Sequence, residues 1–415
     1  LVAGDQTTPG SSAFFGQSTG TLHLRAPQTA DGSDLAVAAI GGDITAASSV
    51  LVEGYRLYDL TSTDGTITSE VQTSVKDNGT AFGNAAAAIT NRVLAGGTTN
   101  PLEPIFVVAP GAEIIHRTGD LTLGTTFSTA TADWDLSGFR FGPKSAPGVL
   151  TLRSAGDLVF YNSLSDGFAP ASVGSLWLAP LMTQNPLLPV NTQSWAYRLT
   201  AGADFDGVAY STVAPVNALT DAKGSLLLGK NLGNANFVNG SNALTSQAIS
   251  NGNRLQVIRT GSGSIAIAAG RDMRLMNTFA SIYTAGTQVL TPGSIYAEGD
   301  FSLPVLEGNL NNVRTVLGTA QQEYPAQYAL AGGNISIMAG VDVARYTLGT
   351  SGELIDDASR QIPGNWLYRR SYVDPITGEY GIAGATQSSA SVEDPSASTT
   401  WWVDYSNFFQ SVGAL

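Results

Sequence analysis

Residues 259–286 read RTGSGSIAIAAGRDMRLMNTFASIYTAG, and the fold reading turns on them. A Gly/Ser turn leads into Ile265 and Ile267 at alternate positions. A small-residue corner follows at Ala268, Ala269 and Gly270. Asp272 then opens a second alternating run through Met273 and Leu275. Alternation with period two marks strands that bury one face, so the stretch is one corner of a coil of short parallel strands.

Weaker copies lie on both sides. Strands are expected at Gly20–Pro27, 34–40, 49–58, 104–109, 112–123 and 147–161, and further copies begin at Gly224, Gly293 and Gly332. The corner residues are Asp43, Asp120, Asp157, Asp204, Gly270, Asp272, Asp300 and Asp342. At such a corner glycine supplies a positive φ, and aspartate bonds the backbone donors of its own turn. The corners recur at irregular intervals, which fits turns of roughly 20 to 25 residues broken by insertions. One insertion is helical: residues 81–94, AFGNAAAAITNRVL, hold four consecutive alanines and are followed by Gly96 and Gly97. The coil is expected over residues 1–350, with insertions near 81–97 and 169–193. A Ser/Pro/aromatic excursion or linker is expected over 351–400, and a return to the coil over 401–415 that continues beyond the chain end.

Composition narrows the function. The chain has 415 residues with 47 Gly, 13% charged residues, no Cys and a formal net charge of -13. With so few basic residues there is no stripe to neutralise phosphates, which argues against nucleic acid as a partner. Disulfides and thiolate metal sites are excluded. No apolar run approaches the ~18 residues of a membrane-spanning helix. The opening Leu1-Val2-Ala3-Gly4-Asp5 already reads as a corner and the last residues are apolar, so the chain is expected to be part of a longer polypeptide.

Chemistry-bearing residues are sparse. His23 and His116 are the only histidines, and both fall in alternating strands, where packing is the ordinary role. The Asp-x-Asp pairs Asp133/Asp135 and Asp204/Asp206, and the adjacent Asp356/Asp357, could flank a sugar or meet Ca²⁺, but all lie in turn-like sequence. No catalytic residue, cofactor or metal site is assigned. The candidate contact aromatics are Trp366, Tyr368, Trp401 and Trp402, which gather in the excursion and just after it.

The segments GTLHLRAP from Gly20, VAAIGGDITAASSVLVEGYRLY from Val37, QSWAYRLTAGAD from Gln193, the stretch at 259–286, GGNISIMAGVDVARY from Gly332 and WWVDYSNFFQ from Trp401 resemble the C-terminal region of filamentous-haemagglutinin-like large exoproteins of Gram-negative bacteria. The resemblance implies an all-β fold, a right-handed parallel β-helix with loop and short helical insertions. It also implies export by two-partner secretion through an outer-membrane partner and display at the cell surface. The function expected on this basis is a structural and adhesive segment of a surface filament, not an enzyme. It would contact host or neighbouring cells, including their glycans, and could self-associate. The alternative is a β-helical polysaccharide-processing enzyme or a carbohydrate-binding module.

Overall fold

The computed structural model describes residues 5–6, 17–18, 20–44, 47–94, 100–124, 132–167, 183–207, 209–219, 223–229, 257–276, 280–287, 332–348, 354–356, 371–373 and 380–382. Three sheets dominate. The first holds β3 (Gly20–Pro27), β4 (Ala47–Asp59), β6 (Phe106–His116), β9 (Val149–Ser154), β12 (Ala196–Ala201), β15 (Ile265–Ala269) and β18 (Ile335–Ala339), hydrogen-bonded in that order. The second runs β5 (Thr66–Ile67), β7 (Leu121–Leu123), β10 (Leu158–Phe160), β13 (Leu226–Leu228), β16 (Asp272–Leu275), β19 (Asp342–Leu348) and β20 (Leu354–Asp356). The third runs β8 (Trp134–Asp135), β11 (Leu164–Ser165), β14 (Val257–Thr260) and β17 (Ser281–Thr284). All pairings within these sheets are parallel except β19 with β20. Two short antiparallel pairs complete the set, β1 (Asp5–Gln6) with β2 (Gln17–Ser18) and β21 (Ser371–Val373) with β22 (Tyr380–Ile382).

Alternation along each strand becomes stacked columns inside. Leu150, Tyr197 and Ile265 are register partners on successive strands of the first sheet, as are Leu152, Leu199 and Ile267. Leu121, Leu158, Leu226 and Met273 form the matching column of the second sheet, and Trp134, Leu164 and Ile258 that of the third. These side chains belong to one buried cluster, and each aliphatic one contributes about 1.5–3 kcal/mol relative to exposure. Trp195 plugs the same core: it meets Phe139 and Phe141 edge-on at 6.4 and 6.1 Å between ring centroids and donates its indole N–H to the Phe139 carbonyl.

Helix α1 (Ser69–Val93) changes the class of the fold. Thr68 caps its start, its side-chain oxygen accepting from the Val71 N–H. The residues it buries, Val75, Gly79, Phe82, Gly83, Ala86, Ile89 and Val93, recur every three or four positions. Phe82, Ala86, Ile89 and Val93 form a second core with Val50, Val52, Phe106 and Val108, so the helix covers the inner face of the first strands, where among the described residues the second sheet has β5 alone. The all-β, right-handed parallel β-helix with short helical insertions is therefore corrected. The described residues form an α/β-type arrangement of three separate sheets, mainly parallel, with a 25-residue helix built into the core. The reading of 81–94 caught only the second half of α1. The expected strand over 34–40 is likewise corrected, for Leu35 makes a single antiparallel bridge to Gln28 and the rest is connection.

Candidate functional site

Several corner residues are brought together, but not by bonds inside their own turns. Asp120 Oδ1 accepts the backbone N–H of Asp157, one strand further along the second sheet, at 2.8 Å. Asp157 Oδ1 accepts the N–H groups of Gly224 and Ser225, one strand further again, both at 3.0 Å. Ser225 Oγ then accepts from the N–H of Asp272 at 3.4 Å. Each side chain thus satisfies the turn of the next layer, and Lys223 bridges Asp120 and Asp157 through Nζ at 2.7 and 3.1 Å. Its pKa is raised, chiefly by the hydrogen bond to Asp120. Asp272 is bound by the Arg274 guanidinium and pairs in register with Asp342.

The remaining corner residues differ. Asp204 bonds the N–H of Asp206, and Asp342 that of Val343, each within its own turn. Asp43 is exposed in the connection between β3 and β4, and Asp300 lies outside the described residues. Gly270 corrects the expected role of the corner glycine. It has no positive φ; a Cβ there would sit 2.8 Å from Leu219 Cδ1, so what the site shows is close packing against Leu219.

The larger constellation lies on the face of the first sheet opposite the core columns, and sequence reasoning missed it. His23 and Arg25 on β3, Glu53 on β4, Glu113 on β6, Arg153 on β9 and Arg198 on β12 converge there although up to 175 residues separate them. Glu53, fully buried, is the hub. Its Oε1 accepts from Arg25 Nε at 3.0 Å, and its Oε2 faces Arg198 Nη1 at 2.9 Å and His23 Nε2 at 2.8 Å. Arg25 Nη2 also reaches Glu113 Oε2 at 2.5 Å, and Arg153 Nη1 reaches Glu113 Oε1 at 3.3 Å. Arg198 Nη2 stands 3.1 Å from His23 Nδ1. The His23 ring thus lies between the Glu53 carboxylate at Nε2 and the Arg198 guanidinium at Nδ1.

Local sequence makes room for the hub. Opposite Tyr55 on β6 stands Gly111, where a Cβ would lie 2.6 Å from Glu53 Oε1. Aromatic rings cover the guanidiniums: Tyr55 faces Arg25 at 3.8 Å, while Phe205 and Tyr210, on the loop after β12, face Arg153 and Arg198 at 4.7 Å. Burial pushes the Glu53 carboxyl up, but the hydrogen bond from His23 and the charges of Arg198 and Arg25 outweigh it and hold the group below the usual range. Glu53 therefore stays a carboxylate at neutral pH. It can anchor cations but has no proton to give as a general acid.

The other candidates are dispersed. Asp133 bonds Asn162 through both oxygens, with its pKa raised by burial, and Asp135 closes a turn on Ser137 N–H. Asp356 ends β20, and Asp357 lies outside the described residues, as do Trp366, Tyr368, Trp401 and Trp402. His116 is buried at the end of β6, near the Thr63 carbonyl. A cleft of about 140 Å³ is lined by residues that include Arg140, Asn185, Leu188, Gln193, Ser194 and Thr287. Its amides are spent on holding the 185–193 loop, and Arg140 is held by the buried Asp166. Among the described residues no group of three or more His, Asp or Glu is placed to hold a metal ion, and no helix is long and apolar enough to cross a membrane. No family model, curated protein or solved structure matches the chain.

Proposed function

We propose that the chain is a structural and adhesive segment of an exported surface filament or haemagglutinin-like adhesin. The observation that carries the structural part is the direction of its polar bonds. The corner carboxylates of Asp120 and Asp157 and the hub at Glu53 all tie different strands to one another instead of closing their own turns. The charged groups that could have formed a reaction centre are used as fasteners. Adhesion rests on the sequence segments that resemble the exoprotein family, and the loops projecting between strands are the surfaces that would make contact.

Both parts are open to test on the full chain. Pulled between its termini in a single-molecule force experiment, the chain should resist as several discrete ruptures, and Glu53→Gln should lower the force of one of them. A featureless extension at low force would refute the structural part. Beads coated with the chain should adhere to cultured host cells more than albumin-coated beads do; equal adhesion would refute the adhesive part.

A further inference from the structure

The charged network on the outer face of the first sheet does not balance. Its ion pairs join three guanidiniums, those of Arg25, Arg153 and Arg198, to two carboxylates, those of Glu53 and Glu113. His23 bears no negative charge in either protonation state of its ring, so it cannot cancel the surplus of one positive charge. Asp204 does not cancel it either: it gives Arg153 its backbone carbonyl, while its carboxylate is turned onto the N–H of Asp206. Glu53, Glu113, Arg153 and Arg198 are each at most 9% exposed. A surplus charge under such cover is costly unless it meets a counter-charge.

Two hydrogen-bonding atoms of the same patch are unsatisfied. Thr151 and Arg153 stand two residues apart on β9, on the face opposite the core residues Leu150 and Leu152. Thr151 lies in register between Glu113 of β6 and Arg198 of β12. Its Oγ1 and the Nε of Arg153 are buried with no hydrogen-bond partner among the described residues. Arg153 spends its other nitrogens, Nη1 on Glu113 and Nη2 on the Asp204 carbonyl. A guanidinium N–H can only donate, and a hydroxyl can donate as well. Buried polar groups are nearly always hydrogen-bonded, so two idle donors beside a surplus positive charge call for an acceptor that is itself negative.

We infer that this patch binds one small monovalent anion of the class of chloride, held by Thr151 Oγ1 and Arg153 Nε. Thr151 is 0% exposed, which favours an ion of few atoms. A water molecule would accept from both donors but would leave the charge surplus in place. A divalent anion such as sulfate would overshoot a surplus of one and be repelled by Glu113. Bound there, the ion ties β9 into the network that already joins β3, β4, β6 and β12, and it stabilises the folded chain by mass action. The inference is independent of the adhesive reading.

Thermal unfolding of the full chain, with chloride replacing gluconate at constant ionic strength and pH 7, tests it beside Thr151→Val, which keeps the side-chain shape and removes the hydroxyl. General salt effects act on both proteins, so the difference between them is the reading. The midpoint of the unaltered protein should rise relative to that of Thr151→Val by about 1–3 °C for each tenfold increase in chloride. Crystals soaked in sodium bromide should show anomalous density within about 3.5 Å of both Thr151 Oγ1 and Arg153 Nε. Midpoints that run parallel in the two proteins would overturn the inference, and so would a water molecule in place of the bromide. Bromide density without a difference in midpoints would mean an adventitious ion only and would overturn it as well. Should Thr151→Val fail to fold, the bromide position decides alone.

Discussion

At the scale of the residue, Glu53 shows how a buried charge is tolerated. It has three cationic or hydrogen-bonding partners, and removing its charge takes the facing carboxylate from Arg198 and leaves Arg25 with Glu113 alone. Glu53→Gln is expected to cost about 3–5 kcal/mol, the usual loss when one partner of a buried pair is removed; urea unfolding at pH 7 measures it. Because the folded pKa of Glu53 lies below its ordinary 4.5, its contribution is complete above that value and is lost as pH falls through the folded pKa. The stability gap between the two proteins should therefore hold from pH 7 to about 5 and close on further acidification. At the corner, Asp157→Ala leaves the Gly224 and Ser225 N–H groups without their acceptor and should cost about 1–3 kcal/mol. Asp157→Asn keeps an acceptor oxygen and loses mainly the partly exposed Lys223 pair, so it should cost about 1 kcal/mol or less. Equal losses in the two variants would show that the charge, not the backbone bonds, matters there.

At the scale of the element, α1 and β4 are fitted to one another through missing side chains. A Cβ on Gly54 would lie 2.2 Å from the Phe82 ring, and one on Gly79 2.5 Å from Phe141. Gly54→Ala should destabilise by about 1–3 kcal/mol through overpacking. In a double-mutant cycle with Phe82→Leu the two losses should be clearly less than additive, because a smaller side chain relieves the clash. The same fit explains why the sequence showed only half of this helix. Gly79 weakens helix propensity by about 1 kcal/mol, and nothing local reveals that Phe141, far along the chain, packs against it. Strands were more legible: Gly20–Pro27 is β3 with the bounds read from its alternation, and the Ile265 and Asp272 runs are β15 and β16. The run at 34–40 alternates too, but the chain pairs it with no sheet, since Arg92 at the end of α1 binds Asp34 and the carbonyls of Leu35 and Val37 instead.

At the scale of the molecule, burial falls away from the middle of the first sheet to its last strand. β9 is buried at every residue and β12 at all but its first, whereas β18 is exposed at four of its five. Native-state hydrogen exchange should follow that gradient for the amides bonded between strands, slowest in β9 and β12 and faster at residues 336 and 338. Uniform protection would mean that the layers open only together.

The sequence by itself determined the local grain: strand alternation, acidic corners, an acidic Cys-free composition and a helix somewhere before residue 94. These are legible because period and turn chemistry act over a few residues. Only the tertiary structure decided that α1 is built into the core rather than set beside it, that corner carboxylates serve the next layer, and that His23, Glu53 and Arg198 meet. Alternation says which face a side chain takes, but parallel pairing joins strands that are dozens of residues apart, so the neighbours on that face are chosen by the order of layers and not by any nearby residue.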